Sequence, residues 1–424
     1  MIYFILKIIF RIALRVFYRK IEIRQPYPLP NKGPLLLVAN HPNTFMDPIV
    51  IASLFKQEVY FIAKSTVFSS PVRKWLLQKM NLIPVYRRED GPVATGANES
   101  TFEKCYEFLN NQGTLLIFPE GNSFSERRLR PLKTGAARIA LGAAARVNFV
   151  QEIKIIPIGL NYVEPTRFRS KLLVNVAPPI LVNNLANLYE QDAAKAFHLL
   201  TDQIRTSLEA NIIHTHSNAD DELVYQVETV FKNYLLDKNE KRNTELEFQV
   251  TQRIVASLEY FKTHEPERVK GVQQKLSAYL QQIKELGLKD TVFYRSGNKQ
   301  HFGKWIIASG LFLLLGLPIY LFGLITNYLP YIIPAKVADA LTEEAEFVAP
   351  ILLTTGIFTF PVFYGLECYL FWYFTHSWLL TFLFFICLPI TGFFVLHYYQ
   401  QLKDIQANLR LQVLFFNERK LINT

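Results

Sequence analysis

A histidine and an aspartate near the front of the chain have the residue types and spacing of an acid-base pair. His41 follows the apolar run PLLLVAN, and Asp47 precedes Pro48 in the segment HPNTFMDP. A neutral imidazole can take a proton from a hydroxyl, and a nearby carboxylate stabilises the imidazolium that forms. A structural interpretation stays open at this point, because Asp47 with Pro48 is also a good helix start and a histidine at a strand end is more often structural.

Two adjacent arginines follow a second apolar run, IPVY. Arg87 and Arg88 stand where the loops of α/β folds carry binding groups. A guanidinium offers a planar fork that suits the oxygens of a phosphate. Because Glu89 and Asp90 come next, the same four residues are also consistent with a solvated charge cluster.

A third segment, FPEGNSFSERRLRPLKTG, follows the strand-like run TLLI. It starts with Glu120 and Gly121 at a tight turn that glycine permits. A basic loop then leads into a helix whose amino end, with its free backbone donors, favours anions. An ordinary connection between a strand and a helix is the alternative. The basic residues of the loop are Arg127, Arg128, Arg130 and Lys133.

These three segments and a fourth, IIPIGLNY, together resemble the glycerolipid acyltransferase superfamily, which carries an H-x4-D motif. The resemblance covers roughly residues 20 to 180 and is strongest to glycerol-3-phosphate or dihydroxyacetone-phosphate acyltransferases of the fungal type and their bacterial relatives. In this chain five residues, Pro42 to Met46, separate His41 from Asp47, whereas the usual motif has four. The fungal-type subgroup resembles this chain in the longer spacing.

The resemblance implies a mechanism without an acyl-enzyme, a metal or another cofactor. His41 would take the proton from a substrate hydroxyl as it attacks a thioester carbonyl, and Asp47 would hold and charge-stabilise the imidazole. The oxyanion donors are expected among backbone amides near His41 or Gly121.

The same resemblance implies a set of substrate-binding residues. Arg87 would hold the glycerol phosphate, with Arg88 as a weaker candidate, and Ser123 would add a hydrogen bond to the acceptor pocket. The full predicted set is Arg87, Arg88, Glu120, Gly121, Ser123 and Lys133.

Short β-rich runs alternate with helical ones from residue 34, which predicts an α/β class: a mixed sheet flanked by helices, then a helical segment and a C-terminal transmembrane region. Residues 21–183 are predicted as the acyltransferase domain and residues 184–300 as a helical insert or bridge. The run KLLVNVAPPI suggests an edge strand, since two prolines end it.

Residues 1–20 predict an amphipathic helix in the lipid headgroup layer. Its basic residues recur at every fourth position, so they form one stripe that can pair with lipid phosphates. A transmembrane anchor is the alternative. The basic residues of this row are Lys7, Arg11, Arg15 and Arg19.

Residues 301–400 predict the transmembrane region, and residues 401–424 a cytoplasmic tail. One span is expected from Trp305 to about Tyr328, and residues 347–399 supply the rest. Because the linker from Ala335 to Phe347 is acidic and the tail mildly basic, both ends of the region are predicted inside, with two or four crossings.

Charge and cysteine content narrow the function classes. Residues 1–90 hold 14 basic against 5 acidic side chains, and beside membrane spans this excess favours anionic lipid or phosphorylated substrates over nucleic acid. The chain has 3 cysteines and no evident cleavable secretion signal, so neither a disulfide framework nor a cysteine-rich metal site is expected. We expect an integral membrane protein with its catalytic domain on the cytoplasmic face.

The predicted function is acyl transfer from acyl-CoA or acyl carrier protein to the sn-1 hydroxyl of glycerol 3-phosphate, or to dihydroxyacetone phosphate. Acylation of 1-acylglycerol 3-phosphate is the alternative within the family. Two other classes stay open: a lipid-binding membrane protein without turnover, favoured by the longer His41 to Asp47 spacing, and a transporter, suggested by Glu367 inside an apolar segment.

Overall fold

The chain divides into two compact units. The first comprises Met1–Ser217, Asn243–Gln249 and Leu341–Leu353, and the second comprises the remaining segments. The computed structural model describes residues 2–25, 28–30, 32–86, 97–236, 243–288, 290 and 299–417.

The first unit contains a mixed sheet of eight strands among its described residues. Seven strands follow the order β1-β7-β6-β2-β5-β3-β4, and β8 pairs with β6. Strand β7 is antiparallel to β6, as is β8, whereas the other neighbours are parallel. The strands are β1 (Lys20–Arg24), β2 (Leu35–Ala39), β3 (Tyr60–Lys64), β4 (Leu82–Val85), β5 (Thr114–Ile117), β6 (Lys154–Tyr162), β7 (Lys171–Val176) and β8 (Ile180–Leu181).

Helices cover the sheet and build its core. The central strand β2 is buried along its whole length, as expected for a continuous apolar run in a parallel sheet. Its Leu36 and Val38 pack with buried residues of the fourth, fifth and seventh helices. The described helices before residue 217 are α1 (Ile2–Phe17), α2 (Met46–Leu54), α3 (Pro71–Lys79), α4 (Ala97–Asn110), α5 (Gly135–Arg146), α6 (Ala186–Gln191) and α7 (Ala193–Asn211). The predicted fold class, a mixed sheet flanked by helices, is confirmed.

The predicted edge position of the KLLVNVAPPI strand is wrong. Strand β7 lies between β6 and β1, with Lys20 opposite Lys171 in a parallel pairing. The edge is formed instead by β1, whose Lys20 and Arg24 are exposed. The two prolines do end the strand, but they carry no information on its neighbours.

The chain after residue 217 is helical in its described residues. Among the described residues, three of its helices are long and apolar enough to cross a membrane, by length and composition. The charge distribution predicts two or four crossings. The predicted first span extends further, because the helix continues to Leu341 through Pro318, Pro330 and Pro334. The helices are α8 (Asn218–Leu235), α9 (Thr244–His264), α10 (Pro266–Glu285), α11 (Lys299–Leu341), α12 (Ala345–Thr375) and α13 (Trp378–Asn417).

Two residues of the α1 basic row bind backbone carbonyls at the end of α2. Lys7 Nζ donates to the carbonyl of Gln57 at 2.9 Å, and Arg11 Nη2 donates to the carbonyl of Ser53 at 2.9 Å. These carbonyls lie at the end of α2 or just after it, where a helix lacks internal donors. Arg15 and Arg19 stay exposed. Half of the row therefore contacts the end of α2, and the pairing of the row with lipid phosphates stays a prediction.

We expect the double variant Lys7→Met with Arg11→Met to lower the free energy of unfolding by about 1 to 3 kcal/mol, because two hydrogen bonds from charged donors to backbone carbonyls are lost. The measurement is urea denaturation of the detergent-solubilised protein. Arg15→Met with Arg19→Met is the matched control and should change stability by less than about 0.5 kcal/mol. Equal effects of the two pairs would show that the contacts with Ser53 and Gln57 contribute nothing.

Candidate active site

Three neighbouring parallel strands end at the place where the predicted acid-base pair lies. Strand β2 is parallel to β5 on one side and to β6 on the other. His41 follows the end of β2, Glu120 follows the end of β5, and Tyr162 is the last residue of β6. The carboxyl ends of parallel strands are where open α/β sheets bind their ligands.

His41 and Asp47 form a hydrogen-bonded pair despite the longer spacing. The imidazole Nδ1 lies 2.8 Å from the Asp47 Oδ2 atom, the Asp47 side chain is fully buried, and the His41 side chain is 18% exposed. Because the carboxylate accepts from Nδ1, it favours the tautomer that leaves Nε2 as the proton acceptor. The pair has the geometry of a general base and the carboxylate that orients it.

The extra residue is accommodated by backbone strain in the loop. Thr44 has a φ of +33°, in the left-handed region that a β-branched residue rarely adopts. Its amide donates to Ser123 Oγ at 2.9 Å, and the amide of Asn43 donates to Asp47 Oδ2 at 2.8 Å. The loop thus folds back on the carboxylate, and α2 begins at Met46.

Tyr162 completes the shell around Asp47. Its hydroxyl donates to Asp47 Oδ1 at 2.7 Å, so both carboxylate oxygens have donors. Burial raises the pKa of Tyr162, and the neighbouring Asp47 charge raises it further, so the phenol stays a donor at neutral pH. Sequence reasoning missed this residue. The available signal was its position at the carboxyl end of a buried strand in IIPIGLNY.

The backbone and ring of His41 are fixed from the β5 side. Its amide donates to Glu120 Oε1 at 2.9 Å, and its ring stacks on Phe118 with centroids 3.9 Å apart and planes 11° from parallel. Its carbonyl accepts from the amide of Phe124 at 3.1 Å. The segment after β5 therefore positions the base as well as any acceptor pocket, a role that the sequence analysis did not assign.

Glu120 bridges two loops through its carboxylate. While one oxygen binds the amide of His41, the other accepts from the amide of Arg130 at 3.0 Å. Burial raises the pKa of Glu120, and these two amide hydrogen bonds oppose part of that rise. Both side-chain oxygens of Glu120 are therefore bound to backbone amides of the protein itself.

Gly121 and Lys133 lie together on the turn. Gly121 has a φ of +81°, and a Cβ atom there would lie 3.0 Å from Lys133 Nζ. The Gly121 amide donates to the Phe118 carbonyl at 3.1 Å, and the His41 amide donates to Glu120. The expectation that backbone amides near His41 or Gly121 bind the oxyanion stays a prediction.

The arginines of the site divide into two groups. Arg87 and Arg88 lie outside the described residues, which resume at residue 97; the preceding strand β4 is parallel to β3. In the loop after β5, Arg128 and Arg130 both pair with Glu126, at 2.8 and 2.9 Å. Each of these two guanidiniums therefore has an acidic partner within the loop. Among the described residues, no cluster of three or more His, Cys, Asp or Glu side chains is arranged to hold a metal ion.

Comparison with known proteins places the site in context. Residues 20–161 match the family model described as Acyltransferase. The matched range of this chain includes His41, Asp47, Glu120, Gly121, Ser123 and Lys133. The family resemblance drawn from the sequence is confirmed by this match and by the relatives that follow.

Two curated relatives carry different acceptors in their names. The chain is 23% identical over 365 residues to glycerol-3-phosphate O-acyltransferase 1 of Saccharomyces cerevisiae, covering 65% of this chain and 47% of the relative. It is 29% identical over 165 residues to the chloroplastic 1-acyl-sn-glycerol-3-phosphate acyltransferase BAT2 of Brassica napus, covering 39% of this chain and 44% of the relative. The chain thus spans about half the length of these relatives.

A solved structure is also similar over part of the chain. The crystal structure of the 1-acyl-sn-glycerophosphate acyltransferase of Thermotoga maritima aligns with a TM-score of 0.32 and 18% identity, covering 46% of this chain and 79% of that protein.

Proposed function

We propose that this chain, whose residues 20–161 are a domain of the acyltransferase family, transfers a fatty acyl group from a thioester to the sn-1 hydroxyl of glycerol 3-phosphate. The observation that carries the proposal is the buried Asp47 carboxylate, which holds His41 with Nε2 left to accept a proton. The yeast relative named a glycerol-3-phosphate O-acyltransferase supports this acceptor.

In the proposed reaction the acceptor oxygen attacks the thioester carbonyl while His41 Nε2 takes the hydroxyl proton. Asp47 stabilises the resulting imidazolium through Nδ1. The tetrahedral oxyanion then collapses, the carbon–sulfur bond breaks, and the thiolate takes the proton from Nε2. One ester forms, one free thiol leaves, and the histidine returns to its starting state.

The surroundings of the pair support its use as a base. Four different residues hold the imidazole and its carboxylate: Asn43 and Tyr162 donate to Asp47, Glu120 holds the His41 amide, and Phe118 stacks on the ring. A structural histidine at a strand end needs no fully buried carboxylate with both oxygens occupied. A lipid-binding protein without turnover, the alternative drawn from the longer spacing, loses its main argument because the spacing leaves the pair at 2.8 Å.

Acylation of 1-acylglycerol 3-phosphate is the second candidate, favoured by the likeness to the Brassica enzyme. Both acceptors need the same base and a phosphate site. The discriminating experiment gives purified protein labelled acyl-CoA and offers glycerol 3-phosphate, dihydroxyacetone phosphate and 1-acylglycerol 3-phosphate in parallel. The proposal expects the highest kcat/KM with glycerol 3-phosphate. A clear preference for the monoacylated acceptor would replace it with the second candidate.

The donor and the location are parts of the same proposal. Acyl-CoA and acyl carrier protein are both acidic, and the basic excess of residues 1–90 suits either donor. The three apolar helices α11, α12 and α13 would hold the protein in the membrane, with the acyltransferase domain on the cytoplasmic face, where thioester donors are made.

We expect Arg87→Ala to raise KM for glycerol 3-phosphate about tenfold or more, with little change in KM for the acyl donor, because a lost phosphate contact removes uniform binding. Arg87→Lys should recover the affinity only in part, since an ammonium cannot form the bidentate contact. Steady-state kinetics with each substrate varied in turn provide the measurement. Parallel rises in both KM values would assign Arg87 a structural role.

A further inference from the structure

A large apolar side chain stands exposed beside the proposed base. Phe45, in the loop between His41 and Asp47, has 54% of its surface exposed, although it directly precedes the buried Met46. The neighbouring Thr44 is held by Ser123 in its left-handed conformation, and this geometry positions the next residue of the loop. Phe45 therefore offers apolar surface on the loop that carries the proposed base.

The beginning of α12 lies against the same loop. Thr44 Oγ1 donates to the carbonyl of Glu346 at 2.9 Å, and the rings of Phe45 and Phe347 meet edge to face with centroids 6.5 Å apart. Residues Leu341–Leu353 belong to the same compact unit as the acyltransferase domain, although 302 positions separate Thr44 from Glu346. The first turns of a candidate membrane span are therefore part of the wall around the catalytic loop.

We propose that Phe45 and the first two turns of α12 bind the fatty acyl chain of the thioester and select its length. This inference rests on the proposed function. The apolar residues that α12 adds beyond Phe347 are Val348, Ile351 and Leu352, and each is partly exposed.

Two features favour an acyl chain over a protein partner. The surface begins next to the His41 loop, where the thioester carbonyl must stand for the hydroxyl to attack it. It then continues over the first two turns of α12, part of a helix apolar enough to enter the bilayer, so a long chain bound there stays against apolar side chains. Each methylene fully buried in such a site raises affinity roughly fourfold, so the chain length that fits would be favoured.

The kinetic test compares palmitoyl-CoA with octanoyl-CoA in the full-length protein in nanodiscs. Phe347→Ala should lower kcat/KM for palmitoyl-CoA about tenfold and for octanoyl-CoA less than twofold, with KM for glycerol 3-phosphate unchanged. Phe347→Leu keeps an apolar side chain and should recover most of the loss. Phe374 lies near the far end of the same helix with 78% of its surface exposed, about 40 Å along the axis from Phe347, and Phe374→Ala is the matched control without effect. Equal losses for both donors, or an equal effect of Phe374→Ala, would overturn the inference.

A labelling test gives a readout without turnover. A palmitoyl-CoA with a photoreactive diazirine in its acyl chain should label the peptide that spans residues 345–353, and unlabelled palmitoyl-CoA should suppress this labelling. His41→Ala should label like the wild type. If the peptide is labelled in a wild-type protein that acylates none of the acceptors, the inference is kept and the proposed reaction is rejected. Turnover with labelling elsewhere in the chain would reject the inference alone.

Discussion

We expect His41→Ala to lower turnover by about 10²- to 10⁴-fold, because the proposed reaction loses the group that takes the hydroxyl proton. The protein should stay folded, since the His41 backbone contacts with Glu120 and Phe124 do not involve the imidazole. The measurement is kcat with saturating acyl-CoA and glycerol 3-phosphate, together with the melting temperature. Activity within threefold of the wild type would remove His41 from the mechanism.

Asp47→Asn separates orientation from charge in the same pair. The Asp47 Oδ2 position contacts both His41 Nδ1 and the Asn43 amide, so the asparagine oxygen should take that position and its NH2 group should face the Tyr162 hydroxyl. The imidazole then keeps its tautomer and orientation, but a neutral amide does not stabilise the imidazolium that forms. We therefore expect a loss of turnover of roughly 10- to 100-fold, smaller than that of His41→Ala. Wild-type turnover would show that the carboxylate serves only the backbone of the loop, through its contact with the Asn43 amide.

Glu120→Ala should cost both stability and activity. It leaves the amides of His41 and Arg130 without their acceptor, and each buried unpaired donor costs about 1 to 3 kcal/mol. The free energy of unfolding should fall by about 2 to 6 kcal/mol, the sum of two such donors. With the base less firmly held, kcat should fall about 10- to 100-fold even at temperatures where the variant is folded. Wild-type kcat in a destabilised variant would limit Glu120 to a structural role.

Glu120→Gln provides the control through its pH dependence. Burial raises the pKa of Glu120 above its ordinary value of 4.5, so the folded protein resists ionisation of this group. Its contribution to stability is complete below the pKa of the unfolded chain and is lost as the pH rises through the raised folded pKa. As the pH rises above 4.5, the melting temperature of the wild type should fall because this contribution is lost. The glutamine variant should not show this fall.

The proximity of the predicted site residues could be inferred from the sequence, whereas the residues that support them could not. His41 and Glu120 follow strand-like runs, and carboxyl ends of parallel strands meet at one edge, so their proximity follows from the pattern together with the family resemblance. Tyr162 and Phe347 reach the loop from 115 and 302 positions away, through contacts that no local pattern encodes. The contacts of Lys7 and Arg11 with the end of α2 could not be predicted for a related reason. Helical periodicity shows which residues share a face of a helix, but not which element packs against that face.

The place of β7 shows the same limit in the sheet. Its apolar run and the prolines after it predict a strand and its end, and both are present. Its neighbours depend on β1, a short strand in which charged and apolar residues alternate and which gives little signal alone. Pairing between segments this far apart in sequence is decided by the whole sheet.

The pairing of β1 with β7 also sets an order of events during synthesis. About 150 residues separate Lys20 from its partner Lys171. At a ribosomal rate of roughly 5 to 20 residues per second, β1 waits about 8 to 30 s before its partner has been made. During that interval α1 is already available, with Phe4, Ile5, Ile8, Ile12 and Val16 on its exposed face. The helix can therefore settle on a bilayer before the domain behind it closes, and the sheet would then be completed at the membrane surface.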